Sequence, residues 1–148
     1  MATISKMKVQ LAKQYDMKID KVITRPIDIV EFINSVEHYD LSLNEQVVVI
    51  ALNTKNEVIA YSDIYIGATN MCNVNVSDIF KFLCATPATK FIVVHNHPSG
   101  NSTPSKIDLA FTERLETASN LMGIPLIDHI VIGDNEYTSI FEYRMNKH

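Results

Sequence analysis

Apolar residues along the chain recur with two periods, one helical and one alternating, and the two take turns along the sequence. After Pro26, residues Ile27, Ile29, Val30, Phe32, Ile33 and Val36 form one side of a helix, and proline suits its first turn. Glu45 then opens Val47-Val48-Val49-Ile50-Ala51-Leu52, a β-branched run that is apolar on both faces, as an interior strand requires. Asn53 to Asn56 reads as a turn, and Glu57 to Gly67 as the returning strand of a hairpin. Ser77 or Asp78 is expected to cap a short helix carrying Ile79, Phe80, Phe82 and Leu83, ended near Pro87. Lys90 to Val94 is a second strongly apolar strand, and His95-Asn96-His97-Pro98-Ser99-Gly100 must be its end and a turn. Helical spacing returns from Pro104 to Met122 through Ile107, Ala110, Phe111, Leu115, Ala118, Leu121 and Met122, with Gly123 as the stop. Leu126 to Ile132 is a third apolar strand, and Gly133-Asp134-Asn135 turns the chain into a last one, Glu136 to Phe141. Residues 6–23 alternate weakly and read as a lead-in, either an early strand or helical. Helices alternating with apolar strands, plus one hairpin, predict an α/β fold: a mixed β-sheet flanked by helices.

Composition narrows this picture. With 148 residues the chain suits one domain spanning 1–148, and it can bury about two-thirds of its unfolded surface, so it needs neither disulfides nor a metal merely to fold. The net charge of -4 argues against a broad basic surface for duplex DNA or anionic lipid and leaves only a local patch open. No apolar run approaches the roughly 18 residues of a membrane span, and the N-terminal MATISKMKVQ lacks the apolar core of a signal peptide, so a cytoplasmic protein is expected. Cys72 and Cys84 have no CxxC spacing, which excludes a cysteine zinc site; both are expected to be small buried hydrophobes.

The chemistry concentrates in His95-x-His97, seven further residues, Ser105, two residues and Asp108. Residues i and i+2 of a strand point to the same side, so the two imidazoles project together from one strand end, and the turn after Pro98 can bring the next helix beside them. Two imidazoles and a carboxylate suit Zn²⁺, and three protein ligands leave the open fourth position of a catalytic site. Glu45, at the start of an interior strand, is the candidate general base, and the Ser105 hydroxyl could donate to a developing oxyanion. The same residues have plainer readings. Ser105 and Asp108 fit a capping box at a helix start, with Thr103 as N-cap and Pro104 at the first helical position competing. Spacing alone leaves a metal site and a turn followed by a cap both open. His129, within an apolar strand, reads as a hydrogen-bonded core histidine, with an outer partner of the metal ligands as the alternative. His38 and His148 stand in no local constellation.

The string His95 to Gly100, with Pro104, Ser105 and Asp108, resembles the RadC family of the JAB/MPN metalloenzymes, whose JAMM motif is a glutamate followed by His-x-His, seven residues, serine, two residues and aspartate. Glu45-Gln46-Val47-Val48 is similar to the family's first core strand and motif glutamate. Leu52 to Asn56 is similar to its hairpin, and Leu126 to Gly133 to its penultimate strand, so the likeness covers roughly 24–143. The resemblance implies an α/β sandwich like that of cytidine deaminases. It also implies zinc on His95, His97 and Asp108, a water completing the shell, Glu45 activating that water, and Ser105 polarising a substrate carbonyl. In two respects the chain departs from the family. Many longer members carry an N-terminal helix-hairpin-helix region associated with DNA, which the residues before 24 are too few to hold. Where the family places Pro-Arg-Glu at a helix start, this chain has Val76-Ser77-Asp78, without the arginine.

Two functions follow as expectations. The first is a zinc-dependent hydrolase of peptide or isopeptide bonds, acting on a protein or peptide substrate. The second is a binding module in DNA repair or mobile-element biology with little or no hydrolase activity; the acidic balance weighs against direct duplex binding. A homodimer stays open. Zinc deaminases need His-x-Glu with Pro-Cys-x-x-Cys, and neither is present.

Overall fold

A computed structural model describes residues 2–8, 20–36, 44–67 and 71–147. Its regular elements are helix α1 (Pro26–Val36), strands β1 (Glu45–Leu52) and β2 (Val58–Gly67), helix α2 (Val76–Cys84), strand β3 (Lys90–Asn96), helix α3 (Lys106–Met122), strands β4 (Leu126–Ile132) and β5 (Tyr137–Ser139), and helix α4 (Ile140–Met145), with a 3₁₀ turn at Met71–Asn73. The strands form one mixed sheet in the order β2-β1-β3-β4-β5, antiparallel except between β3 and β4. That parallel pair is bridged by α3, as a parallel pair must be bridged by a crossover.

Strands β1 and β3 are apolar on both faces because each supplies two cores. Val47, Val49, Ala51, Phe91 and Val93 face one layer, with Ile79, Phe80 and Leu83 of α2 and Phe111 and Leu115 of α3. Val48, Ile50, Leu52, Ile92 and Val94 face the other, against Ile29, Phe32 and Ile33 of α1. The result is a three-layer α/β/α sandwich, and the expected mixed sheet between helices is observed.

Several boundaries differ from the sequence reading. Helix α2 begins at Val76 with Asn75 as N-cap, not at Ser77 or Asp78, and no side chain caps it. Starting there places Val76 with Ile79, Phe80 and Leu83 on the buried face, at helical spacing. Helix α3 begins at Lys106, with Ser105 rather than Thr103 as N-cap and Pro104 outside the helix. The last strand stops at Ser139, and residues expected to continue it form α4. Asp128 is the reason: its carboxylate accepts from the Ser139 hydroxyl (2.6 Å) and the Phe141 N–H (3.3 Å), while Ser139 Oγ accepts from the Glu142 N–H. A serine three residues before a glutamate is a helix-start signal, and it outweighs the alternation here. Cys84 is exposed at the end of α2, not buried, because it follows Leu83 off the apolar face. The side chain of Cys72 lies outside the described residues, as do His38, His148 and most of the expected lead-in over 6–23. From that lead-in, Val22 makes an isolated bridge to Glu57.

The loop after β3 is strapped onto the β4–β5 turn. His97 N–H donates to Ile132 O (2.8 Å) and Asp134 N–H to Gly100 O (2.7 Å). Ser102 N–H donates to Glu136 Oε1 (2.7 Å). A Cβ on Gly133 would lie 2.3 Å from Gly100 O and 2.9 Å from Ser102 N, so the backbones meet where only glycine fits. Gly133→Ala should therefore cost about 1–3 kcal/mol or more as an overpacking change, lowering the thermal midpoint by several degrees. Gly123→Ala meets no atom within 4 Å and carries only the strain of φ +71°. A melting comparison in which Gly133→Ala matched wild type would refute the close-approach argument.

Candidate metal centre

The site lies at the C-terminal end of β3, where α3 begins beside it. His95 is the penultimate residue of β3, and His97 follows the strand by one. Their Nε2 atoms lie 3.1 Å apart. Asp108 meets both, with Oδ1 3.3 Å from His95 Nε2 and Oδ2 3.0 Å from His97 Nε2. One ligand-type atom from each of the three lies within 4.8 Å of those of the other two, so this cluster could hold a metal ion. Among the described residues it is the group of three or more metal-ligating side chains that converges in this way.

Asp108 is placed by the helix it starts. Ser105 Oγ accepts from the Asp108 N–H (3.1 Å), and Asp108 Oδ2 accepts from the Ser105 N–H (2.9 Å), a full capping box worth about 0.5–2 kcal/mol. The cap and the cluster, which competed in the sequence, are one arrangement: the cap turns the carboxylate toward the two imidazoles. Burial pushes the Asp108 carboxyl up, but the adjoining His95 and His97 imidazoles and the hydrogen bond from the Ser105 backbone outweigh it, and the group stays ionised well below the usual carboxylate range.

The outer ring nitrogens show how the donors are oriented. His97 Nδ1 lies 2.8 Å from the Asn101 carbonyl, which only accepts, so Nδ1 carries a proton and Nε2 is the ring nitrogen that faces the cluster. The Asp108 hydrogen bond raises the His97 pKa, and burial lowers that of His95. His95 Nδ1 lies 2.7 Å from His129 Nε2. His129 is fully buried, and burial holds it neutral, far below the ordinary imidazole range. It is both alternatives weighed for it at once, a hydrogen-bonded core histidine and the outer partner of His95. Two imidazole Nε2 atoms and a carboxylate that converge in this way form a donor set that a divalent cation satisfies once the imidazoles are neutral.

Glu45, the first residue of β1, is half-buried. Its carboxyl is pushed up to about 6 by burial and by the charge of Asp108, with His97 pulling the other way. The β1–β3 ladder sets its position: Val47 pairs with His95, so Glu45, two residues before Val47, lies past His95 on the same face of the sheet. Asn96, buried between the two histidines in sequence, brackets it. Asn96 Oδ1 accepts from the Gln46 N–H (2.7 Å) and Asn96 Nδ2 donates to the Asn44 carbonyl (3.0 Å), so the amide continues the β1–β3 ladder past its end and fixes the backbone on either side of Glu45. The sequence reading missed this role; an amide at a strand end, two residues past the last apolar position, was the available signal. Ser105 is exposed, and its capping bond uses an oxygen lone pair, which leaves the hydroxyl proton to point elsewhere. Asp128 stays outside the cluster; burial raises its carboxyl, and its bonds anchor α4.

A mixed sheet sandwiched by helices, with a His-His-Asp cluster at the end of an interior strand, defines the JAB/MPN class of α/β domain. The profile of the RadC-like JAB domain matches residues 23–145. The chain belongs to that family. It is similar to a UPF0758 protein of Carboxydothermus hydrogenoformans, 46% identical over 101 residues (68% of this chain and 45% of that protein). A UPF0758 protein of Clostridium botulinum is 43% identical over 125 residues (83% and 53%). UPF0758 protein YsxA of Bacillus subtilis is 46% identical over 98 residues (66% and 42%). The chain thus spans about half the length of the curated relatives it matches. Among the described residues, no helix is long and apolar enough to cross a membrane.

Proposed function

We propose that this domain is a metal-dependent hydrolase of amide bonds, peptide or isopeptide, using zinc held by His95, His97 and Asp108. The observation that carries the reading is the convergence of two oriented imidazole nitrogens and an ionised carboxylate beside a half-buried Glu45. When bound, zinc supplies a Lewis acid that brings the pKa of water to about 7 and polarises a carbonyl. Glu45 takes the proton of the attacking water and returns it to the leaving amine, a task suited to a carboxyl whose pKa has been raised toward neutrality. The Ser105 hydroxyl donates to the oxygen on which charge develops. Direct binding of duplex DNA draws no support from a chain of net charge -4.

The test is chelation and reconstitution. Purified protein is incubated with a mixed library of unstructured peptides and isopeptide-linked lysine conjugates, and newly formed amines are counted. Amine release should vanish with excess chelator and return with added zinc, while the far-UV circular dichroism stays constant, because the two cores hold the fold without the ion. Amine release that persists in fully chelated protein would refute the reading.

A further inference from the structure

Behind His95 lies a buried hydrogen-bond relay that returns to the cluster. Thr112, fully buried on α3, stands one helical turn after Asp108. Its hydroxyl donates to the Asp108 carbonyl (2.8 Å), so its oxygen must accept from His129 Nδ1 (2.7 Å). A neutral His129 with its proton on Nδ1 has a lone pair on Nε2, and that lone pair requires His95 Nδ1 to be the donor across their 2.7 Å contact. His95 then has no proton on Nε2, the atom that faces Asp108 and His97. We propose that Thr112 and His129 are positioning residues that set the tautomer of His95, keeping its Nε2 lone pair available to a metal ion. This rests on the reading of the cluster as a metal site and goes beyond it in naming two residues that touch neither metal nor substrate.

The relay opposes a real competitor. Asp108 Oδ1, 3.3 Å from His95 Nε2, favours a proton on that nitrogen and therefore the tautomer that cannot bind metal. The direction of every bond in the relay traces back to one hydroxyl donating to one backbone carbonyl. Without that hydroxyl, a proton on His129 Nδ1 would be buried without an acceptor. His129 would then move its proton to Nε2 and donate to His95 Nδ1, and His95 would carry its own proton on Nε2, toward Asp108.

Thr112→Val removes the hydroxyl at nearly constant volume, and Thr112→Ser keeps it. Two readouts decide. Zinc affinity by chelator competition should fall about 10–100-fold in Thr112→Val, the range for loss of an outer partner, and stay near wild type in Thr112→Ser. In metal-free protein with ¹⁵N-labelled histidine, the ring shifts of His95 should report protonated Nδ1 in wild type and Thr112→Ser, and protonated Nε2 in Thr112→Val. If Thr112→Val does not fold, Thr112→Ala takes its place. A hydroxyl-free variant that keeps the wild-type tautomer and wild-type zinc affinity would overturn the proposal. Wild-type protein that binds no zinc would instead overturn the metal-site reading, while the tautomer measurement still decides whether the relay sets His95.

Discussion

His97→Ala is expected to leave purified protein almost free of metal, whereas wild type should hold about one zinc per chain, as a three-ligand site implies. The loss in affinity should exceed the 10–100-fold cost of removing an outer partner, because His97 supplies one of the three donors that converge at the strand end. The ring lies on the more open side of the cluster, with His95 buried behind it, so truncation should trim the site without emptying the core. Elemental analysis of dialysed protein, with a thermal melt of the metal-free form beside it, checks both parts. Equal zinc in the two proteins would remove His97 as a ligand. A large drop in the metal-free melting temperature would show that the side chain is structural instead.

Glu45→Gln separates holding the ion from using it. The variant should retain zinc and lose amide hydrolysis by about 10²–10⁴-fold, the usual contribution of a positioned acid–base group. Glutamine keeps the shape and the neighbouring Asn96 clamp but cannot accept a proton. The sign of the pH dependence follows from the same residue. A base must be ionised, so wild-type turnover should fall as pH drops through the pKa of Glu45. That value is about 6 without the ion, and an added cation pulls it lower, so the acid limb should lie at or below about 6. Glu45→Gln with undiminished turnover would remove Glu45 as the base.

The parts of the molecule that were legible in the sequence are those whose information is local. Strands β1 and β3 announce themselves because both faces are buried, and alternate residues of each run go to opposite cores. The ligand set is legible because all three residues fall between 95 and 108, within one strand–turn–helix segment, and because the helix cap that fixes Asp108 is itself a four-residue pattern. Other features depend on partners far along the chain. Strand β5 ends where it does through two bonds of Ser139: the cap to Glu142 is a local pattern, but the anchoring by Asp128 leaves no trace in the alternation of residues 136–141. Asn96 has a role only once β1 lies against β3, across a separation of 50 residues. Thr112 is one exposed-looking hydroxyl in a helix until His129 arrives from β4. The burial of Cys84 was misjudged because cysteine is apolar by type, while its position one residue past Leu83 sets its exposure.

Opposite residues of an antiparallel ladder share a face, so the pairing of Val47 with His95 carries Glu45, two positions earlier, to the side of the sheet that holds the cluster. A slip of one residue would turn that carboxylate to the α1 layer and leave the His-His-Asp set untouched. The two halves of the site also differ in how the chain must travel to make them. His95, His97 and Asp108 come together by local closure of β3 onto α3, whereas the Glu45 carboxylate joins through a distant strand pairing, the slower kind of event. During folding, a species with the His-His-Asp cluster assembled should therefore precede the one with Glu45 in place on the same face.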